Sequence, residues 1–135
     1  ERVRDGLRHG RREMTTPLHQ LKAEFFKTLS HPLRIRVLEL LSEGEHSVGE
    51  LLRETDVEAS NLSQQLAVLR RAGLVVSRRE GSTVHYALVS PQIADLLGVA
   101  RSILTSVLTE QQDLLETLRS DARATRRDQV RRGPR

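Results

Sequence analysis

The chain has no cysteine among its 135 residues. That absence excludes disulfides, thiolate metal centres, cysteine redox switches and zinc-finger-type nucleic-acid binding. No apolar run approaches the ~18 residues that a membrane-spanning helix needs. The charged N-terminal stretch has no apolar segment behind it, so no signal-peptide pattern is present and a cytoplasmic protein without membrane contact is expected. There is no Gly-rich phosphate loop, no nucleophile motif, and no spacing that links the scattered Ser, His and Asp residues. The chain is therefore expected not to be an enzyme and to carry no cofactor. Internal repeats are missing too. The length suits one domain with a modest core, which a dimer interface would help to stabilise.

What charge there is sits unevenly. The net charge is +4. Residues 1–15 hold five Arg against three acids, and residues 119–135 hold seven Arg against two acids. The residues between them carry ten Lys plus Arg against thirteen acids, a balance of −3. The overall basicity thus belongs to the ends. Residues 1–15 lack periodicity and read as a flexible charged arm, and residues 119–135 as a disordered Arg-rich tail. Residues 16–118 form the expected folded domain.

Within that domain, apolar periodicity marks a series of helices. Leu18, Leu21, Phe25, Phe26 and Leu29 predict a first helix over about 16–29. Ser30-His31-Pro32 breaks it, and Pro32 suits the first turn of a second helix ending near Ser42. His31 is read as a cap or packing residue. Glu43 to His46 reads as a turn. Ser47-Val48-Gly49-Glu50 matches a capping box that opens a short helix. Thr55 to Glu58 then connects to a helix from Ala59 to Ala72, stopped by Gly73. Leu62, Leu66 and Leu69 form its apolar stripe. Ser60, Asn61, Ser63, Gln64 and Arg71 fall largely away from that stripe, and Gln65 lies nearer to it.

Short hydroxyl and amide side chains both donate and accept hydrogen bonds, which suits base edges and phosphates in a DNA major groove. Two β-rich runs follow, Leu74 to Arg79 and Thr83 to Val89, with Arg78 and Arg79 near the hairpin tip. Two helices joined by a tight turn, then a basic hairpin, predict a mainly α winged helix-turn-helix. The DNA-binding residues expected are Ser60, Asn61, Ser63, Gln64, Arg71, Arg78 and Arg79. A bland alternative exists for each. The helix face could be merely solvated, Arg71 could only complement the helix dipole, and Arg78 and Arg79 could only guard an edge strand. For the helix face the cap, turn and hairpin in sequence favour DNA, and for Arg71 the two readings stay open.

Pro91 opens a long helix of about 28 residues, ~42 Å at 1.5 Å per residue. Its stripe includes Ile103, Leu104, Val107 and Leu108. A small helical core cannot cover that length, so a second copy of the chain is the expected partner. Leu21 and Phe25 of the first helix are the other expected contributors to a homodimer interface.

Three stretches together resemble the ArsR/SmtB regulators. They are His31 to Leu41, Ser60 to Val75, and Arg78-Arg79-Glu80-Gly81 followed by His85-Tyr86-Ala87-Leu88. The resemblance covers about residues 18–108. It implies a dimeric winged-helix repressor that binds double-stranded DNA at an inverted repeat and leaves it when an inducer binds. The departures matter as much. The helix before the recognition helix lacks the cysteines of arsenic-, cadmium- and lead-sensing members. Where zinc- and nickel-sensing members place ligands, this chain has Ser90, Gln92, Ile103 and Ser106. A shifted register starting at Asp95 gives Leu97, Leu108 and Gln111. No metal site is expected, the inducer is open, and the chain looks most like actinobacterial members without recognised metal ligands. The alternatives are a metal-responsive repressor with a non-standard His/carboxylate site and a winged-helix module for protein contact.

Overall fold

The computed structural model describes residues 15–133. The expected arm at 1–15 lies outside these residues but for Thr15. Five helices and three strands follow in the order α1 (Leu18–Leu29), α2 (Pro32–Ser42), β1 (His46–Ser47), α3 (Val48–Thr55), α4 (Ala59–Arg71), β2 (Val75–Glu80), β3 (Thr83–Leu88) and α5 (Pro91–Arg131). They fall into two units, divided between Ala94 and Asp95 inside α5.

The first unit is organised around α2, which packs on α1, α3, α4 and β3. Its start is set by two local devices. His31 is the N-cap residue, and its imidazole Nδ1 accepts from the Leu33 N–H at 3.2 Å. Pro32 follows at the first helical position, where a missing N–H costs nothing. Val37, Leu38, Leu40 and Leu41 of α2 are buried with Leu51 of α3, Leu62, Leu66 and Leu69 of α4, and Leu74 and Val75. This aliphatic cluster is the core, and it fixes the spacing of α3 and α4.

The caps around α3 and α4 define the helix-turn-helix. Ser47 Oγ accepts from the Glu50 N–H at 3.1 Å, the first half of a capping box. Among the described residues no bond returns from the Glu50 side chain to the Ser47 N–H; Ser47 is paired with His85 in the sheet. Asp56 closes α3 in the left-handed region, at φ 50° and ψ 46°, with its N–H bonded to the Leu52 carbonyl at 3.0 Å. At the far end of α4, Gly73 has φ 76°, its N–H bonds to the Arg70 carbonyl, and the Leu74 N–H bonds to the Leu69 carbonyl. That is a Schellman closure, and it turns the chain directly into β2.

The sheet is antiparallel with strand order β1-β3-β2. Thr83 opposes Glu80, so the hairpin tip is the two residues Gly81 and Ser82. Gly81 has φ 61°, as the first central position of a type II′ turn requires. β1 replaces part of the expected turn: His46 pairs with Tyr86. Two residues carry no alternation pattern, and only pairing to β3 makes them a strand.

The last helix corrects the expected disordered tail. α5 continues without interruption to Arg131, about 60 Å at 1.5 Å per residue. After Gly98 no Gly or Pro occurs before Gly133. Arg and Ala through 119–131 favour the helix. The hydroxyls of Thr117 and Thr125 bond back to the carbonyls of Asp113 and Asp121, and Asp128 pairs with Arg132 one turn on. Along the second unit Ile103, Leu104, Val107, Leu108, Leu114, Leu115 and Leu118 are all exposed. No helix among the described residues is long and apolar enough to cross a membrane.

Candidate nucleic-acid interface

α4 is two-faced. Leu62, Leu66 and Leu69 are at most 1% exposed. Ser60, Asn61, Ser63, Gln64 and Arg71, five of the expected DNA contacts, are all exposed on the remaining surface. They come from a rigid, Gly-terminated helix whose buried stripe leaves little freedom for rotation. No side chain caps the N-terminus of α4, where Glu58 is the N-cap residue, so first-turn N–H groups remain available. Arg70 and Arg71 are exposed in the last turn.

One polar residue breaks the buried stripe. Gln65 is only 9% exposed, and its amide is engaged at both ends. Arg34 of α2 donates from Nε to Gln65 Oε1 at 2.7 Å and from Nη1 to the Thr28 carbonyl at 3.1 Å. Gln65 Nε2 donates in turn to Asn61 Oδ1 at 3.3 Å. The network ties the end of α1, through α2, to the exposed face of α4. Sequence reasoning puts Gln65 near the core but misses Arg34. The signal is present: an amide inside a Leu62/Leu66/Leu69 stripe needs a buried partner, because an unpaired one is costly.

The hairpin carries the two remaining expected contacts, and it treats them differently. Adjacent residues in a strand point to opposite faces. Arg78 shares its face with Glu80 and lies opposite His85 in the register. Its guanidinium bonds Glu45 at 2.6 Å and Glu80 at 3.0 Å. His85 Nδ1 lies 3.7 Å from Glu45, and Nε2 lies 3.8 Å from Glu80. The Arg78 hydrogen bond holds the Glu80 carboxyl below its usual range, and Glu80 and Glu45 push the Arg78 guanidinium further up. Arg79 is exposed on the other face, with no partner among the described residues. Periodicity gives no sign of the Arg78 pairing, because Glu45 is 33 residues away in sequence.

The expected interface residues are also accessible in the single chain: Leu21, Ile103, Leu104, Val107 and Leu108 are exposed, and Phe25 is half-buried. Phe25 packs edge-to-face on Phe26 at 5.5 Å between ring centres. Among the described residues no three His, Asp or Glu side chains group so as to hold a metal ion.

Known proteins share this arrangement. Residues 31–77 match a family model described as bacterial regulatory protein, arsR family. The HTH-type transcriptional regulator Rv0081 of Mycobacterium tuberculosis is 57% identical over 110 residues, covering 81% of this chain and 96% of the relative. Its crystal structure superposes with a TM-score of 0.67 at 58% identity, over 72% of this chain and 98% of that one. The transcriptional repressor BigR from Xylella fastidiosa gives a TM-score of 0.60 at 40% identity, over 63% of this chain and 87% of that one. The homodimeric winged helix-turn-helix DNA-binding domain Mb0332 of Mycobacterium bovis gives 0.59 at 28% identity, over 65% and 82%.

Proposed function

Because the chain belongs to the ArsR family of bacterial regulatory proteins and is a DNA-binding transcriptional regulator, we propose that it works as a homodimeric repressor on an inverted-repeat operator. The observation that carries this reading is the division of α4. Its apolar residues are locked into the core, and Ser60, Asn61, Ser63, Gln64 and Arg71 are left together on the outside. Such a face inserts into a major groove, where amides and hydroxyls meet base edges and Arg71 meets phosphate. Arg79 is the free wing cation that reaches the backbone beside it.

Dimerisation supplies the second half of the site. The exposed stripe of Ile103, Leu104, Val107 and Leu108 on α5, and Leu21 and Phe25 on α1, are the apolar residues assigned to the partner copy. These side chains are already partly covered, so burying the remainder of each contributes roughly 1–2 kcal/mol. The Mycobacterium bovis neighbour is homodimeric, which supports the same assembly here. The reading as a repressor is supported by the Xylella fastidiosa neighbour, which is a repressor. A two-fold dimer places its recognition helices in successive major grooves, so half-sites lie about one turn of DNA apart.

The test is selection of bound duplexes from a random library by the full chain at near-physiological salt. One enriched inverted repeat with that spacing is the expected result. Recovery of general, salt-sensitive binding alone would overturn it.

A further inference from the structure

The Arg34–Gln65–Asn61 network has a direction. A guanidinium only donates hydrogen bonds, whereas an amide has one accepting and one donating end. Arg34 Nε meets Gln65 at 2.7 Å, so the group facing it must be the carbonyl Oε1. Reversing this amide would set an NH2 against the guanidinium, donor against donor. With Oε1 committed, the Gln65 Nε2 points one helical turn back, to Asn61 at 3.3 Å. The atom that receives it must be an acceptor, and that is Asn61 Oδ1. The Asn61 NH2 is thereby left on the exposed side of α4.

We infer that Arg34 and Gln65 are positioning residues that make Asn61 a hydrogen-bond donor toward DNA. This rests on the reading of α4 as the recognition helix. An unconstrained Asn reads adenine with both ends of its amide, donating to N7 and accepting from N6. Here the amide oxygen already accepts from Gln65 on the protein side, which turns it from the groove and leaves it a single lone pair, while both protons of the NH2 stay free. The outward NH2 needs an acceptor: guanine N7 and O6 or thymine O4 supply one with no amino group beside it, whereas adenine N7 supplies one next to an N6 donor that Asn61 then meets poorly. Cytosine presents its N4 donor and is excluded. The network also explains why a buried amide stands in an otherwise apolar stripe: its role is to transmit the polarity of Arg34 to the surface.

Gln65→Glu tests this directly. The carboxylate still accepts from Arg34, but its second oxygen now faces Asn61. Asn61 must then turn its NH2 inward and present Oδ1 to the DNA. Duplex selection with the full-length wild type, Asn61→Ala and Gln65→Glu proteins gives the readout. The base pair whose preference vanishes in Asn61→Ala is the one Asn61 reads, and 7-deazaguanine substitution assigns the strand. The expected result is a keto base there for wild type and an amino base, adenine or cytosine, for Gln65→Glu, with a change in relative affinity of roughly tenfold. An unchanged preference in a folded Gln65→Glu protein would overturn the inference. A motif unaffected by Asn61→Ala would overturn instead the assignment of Asn61 to the DNA face, and the inference with it. If Gln65→Glu does not fold, NMR of the wild type decides. A scalar coupling across the hydrogen bond from the Arg34 Nε to the Gln65 side-chain carbonyl carbon is expected, and its absence would refute the network's direction.

Discussion

Nη2 of Arg78 lies 2.6 Å from Oε1 of Glu45, joining the hairpin to the turn that precedes β1. The neighbouring Arg79 makes no such bond among the described residues, although both guanidinium groups are near the hairpin tip. On the proposed reading of the wing, the two arginines should therefore not be equivalent toward DNA. Arg79→Ala should weaken operator binding and lower the slope of log affinity against log salt by about 0.9 for each phosphate it ceases to neutralise. Arg78→Ala should change that slope less. Glu45→Gln, which releases one of Arg78's partners, should tighten binding by roughly two- to fivefold. Salt titrations of operator binding would decide; equal slopes for the two Arg variants would contradict the assignment.

The other partner of Arg78, Glu80, gives a pH dependence. Arg78 holds the Glu80 carboxyl below its usual range in the folded protein. A depressed folded-state value means the pairing contributes above the unfolded-state value and is lost as pH falls through the folded one. Arg78→Ala should move the Glu80 titration up toward the ordinary carboxylate range, as followed by the side-chain carboxyl carbon in NMR. An unmoved titration would show that the pair does not persist in solution.

Leu66 and Gln64 stand two positions apart on α4 and should behave oppositely. Leu66 is 1% exposed, and Leu66→Ala should cost ~2–5 kcal/mol of stability. Gln64 is exposed, and Gln64→Ala should leave the unfolding midpoint unchanged but weaken operator binding. Denaturant curves and binding isotherms on both variants check this. Parallel losses in both measurements would mean that α4 has been given the wrong face.

Much of this is legible in the sequence because the signals are local. Helical spacing of Leu62, Leu66 and Leu69 requires only the period of the helix, and Pro32, Ser47 and Gly73 act on their own turns. What stays hidden depends on distant partners. β1 exists only because His46 and Ser47 meet β3. The pairing of Arg78 depends on Glu45, and the engagement of Gln65 depends on Arg34, 31 residues away. The extension of α5 to Arg131 is hidden for another reason. Loss of apolar periodicity reads as loss of structure, but a helix needs a stripe only where something packs on it. Propensity with i to i+4 bonds suffices to continue a helix already begun.

Asp56 holds a left-handed conformation that most side chains resist. It is the joint between α3 and α4, and so it sets the angle at which the recognition helix leaves the core. Asp56→Val should cost about 1–2 kcal/mol, because a β-branched side chain is strained there. Asp56→Gly should leave stability unchanged or raise it, since Gly adopts this conformation freely. Urea unfolding of the two variants tests the point; equal losses would show that the carboxylate, not the backbone angle, is what matters.

The apolar stripe of α5 gives the strongest test of the assembly. Leu104 and Leu108 are 60% and 62% exposed in the single chain and lie one turn apart. Leu104→Glu with Leu108→Glu places two charges on each copy of the proposed seam, where neither has a counterion to offset desolvation. The variant should sediment as a monomer at concentrations where the wild type is a dimer. Its affinity for an inverted repeat should fall by about a hundredfold or more, because the two recognition helices no longer bind as one unit. Its affinity for a single half-site should change little, since the α4 face lies in the first unit. A variant that remained dimeric, or that lost half-site binding to the same degree, would move the interface elsewhere on the chain.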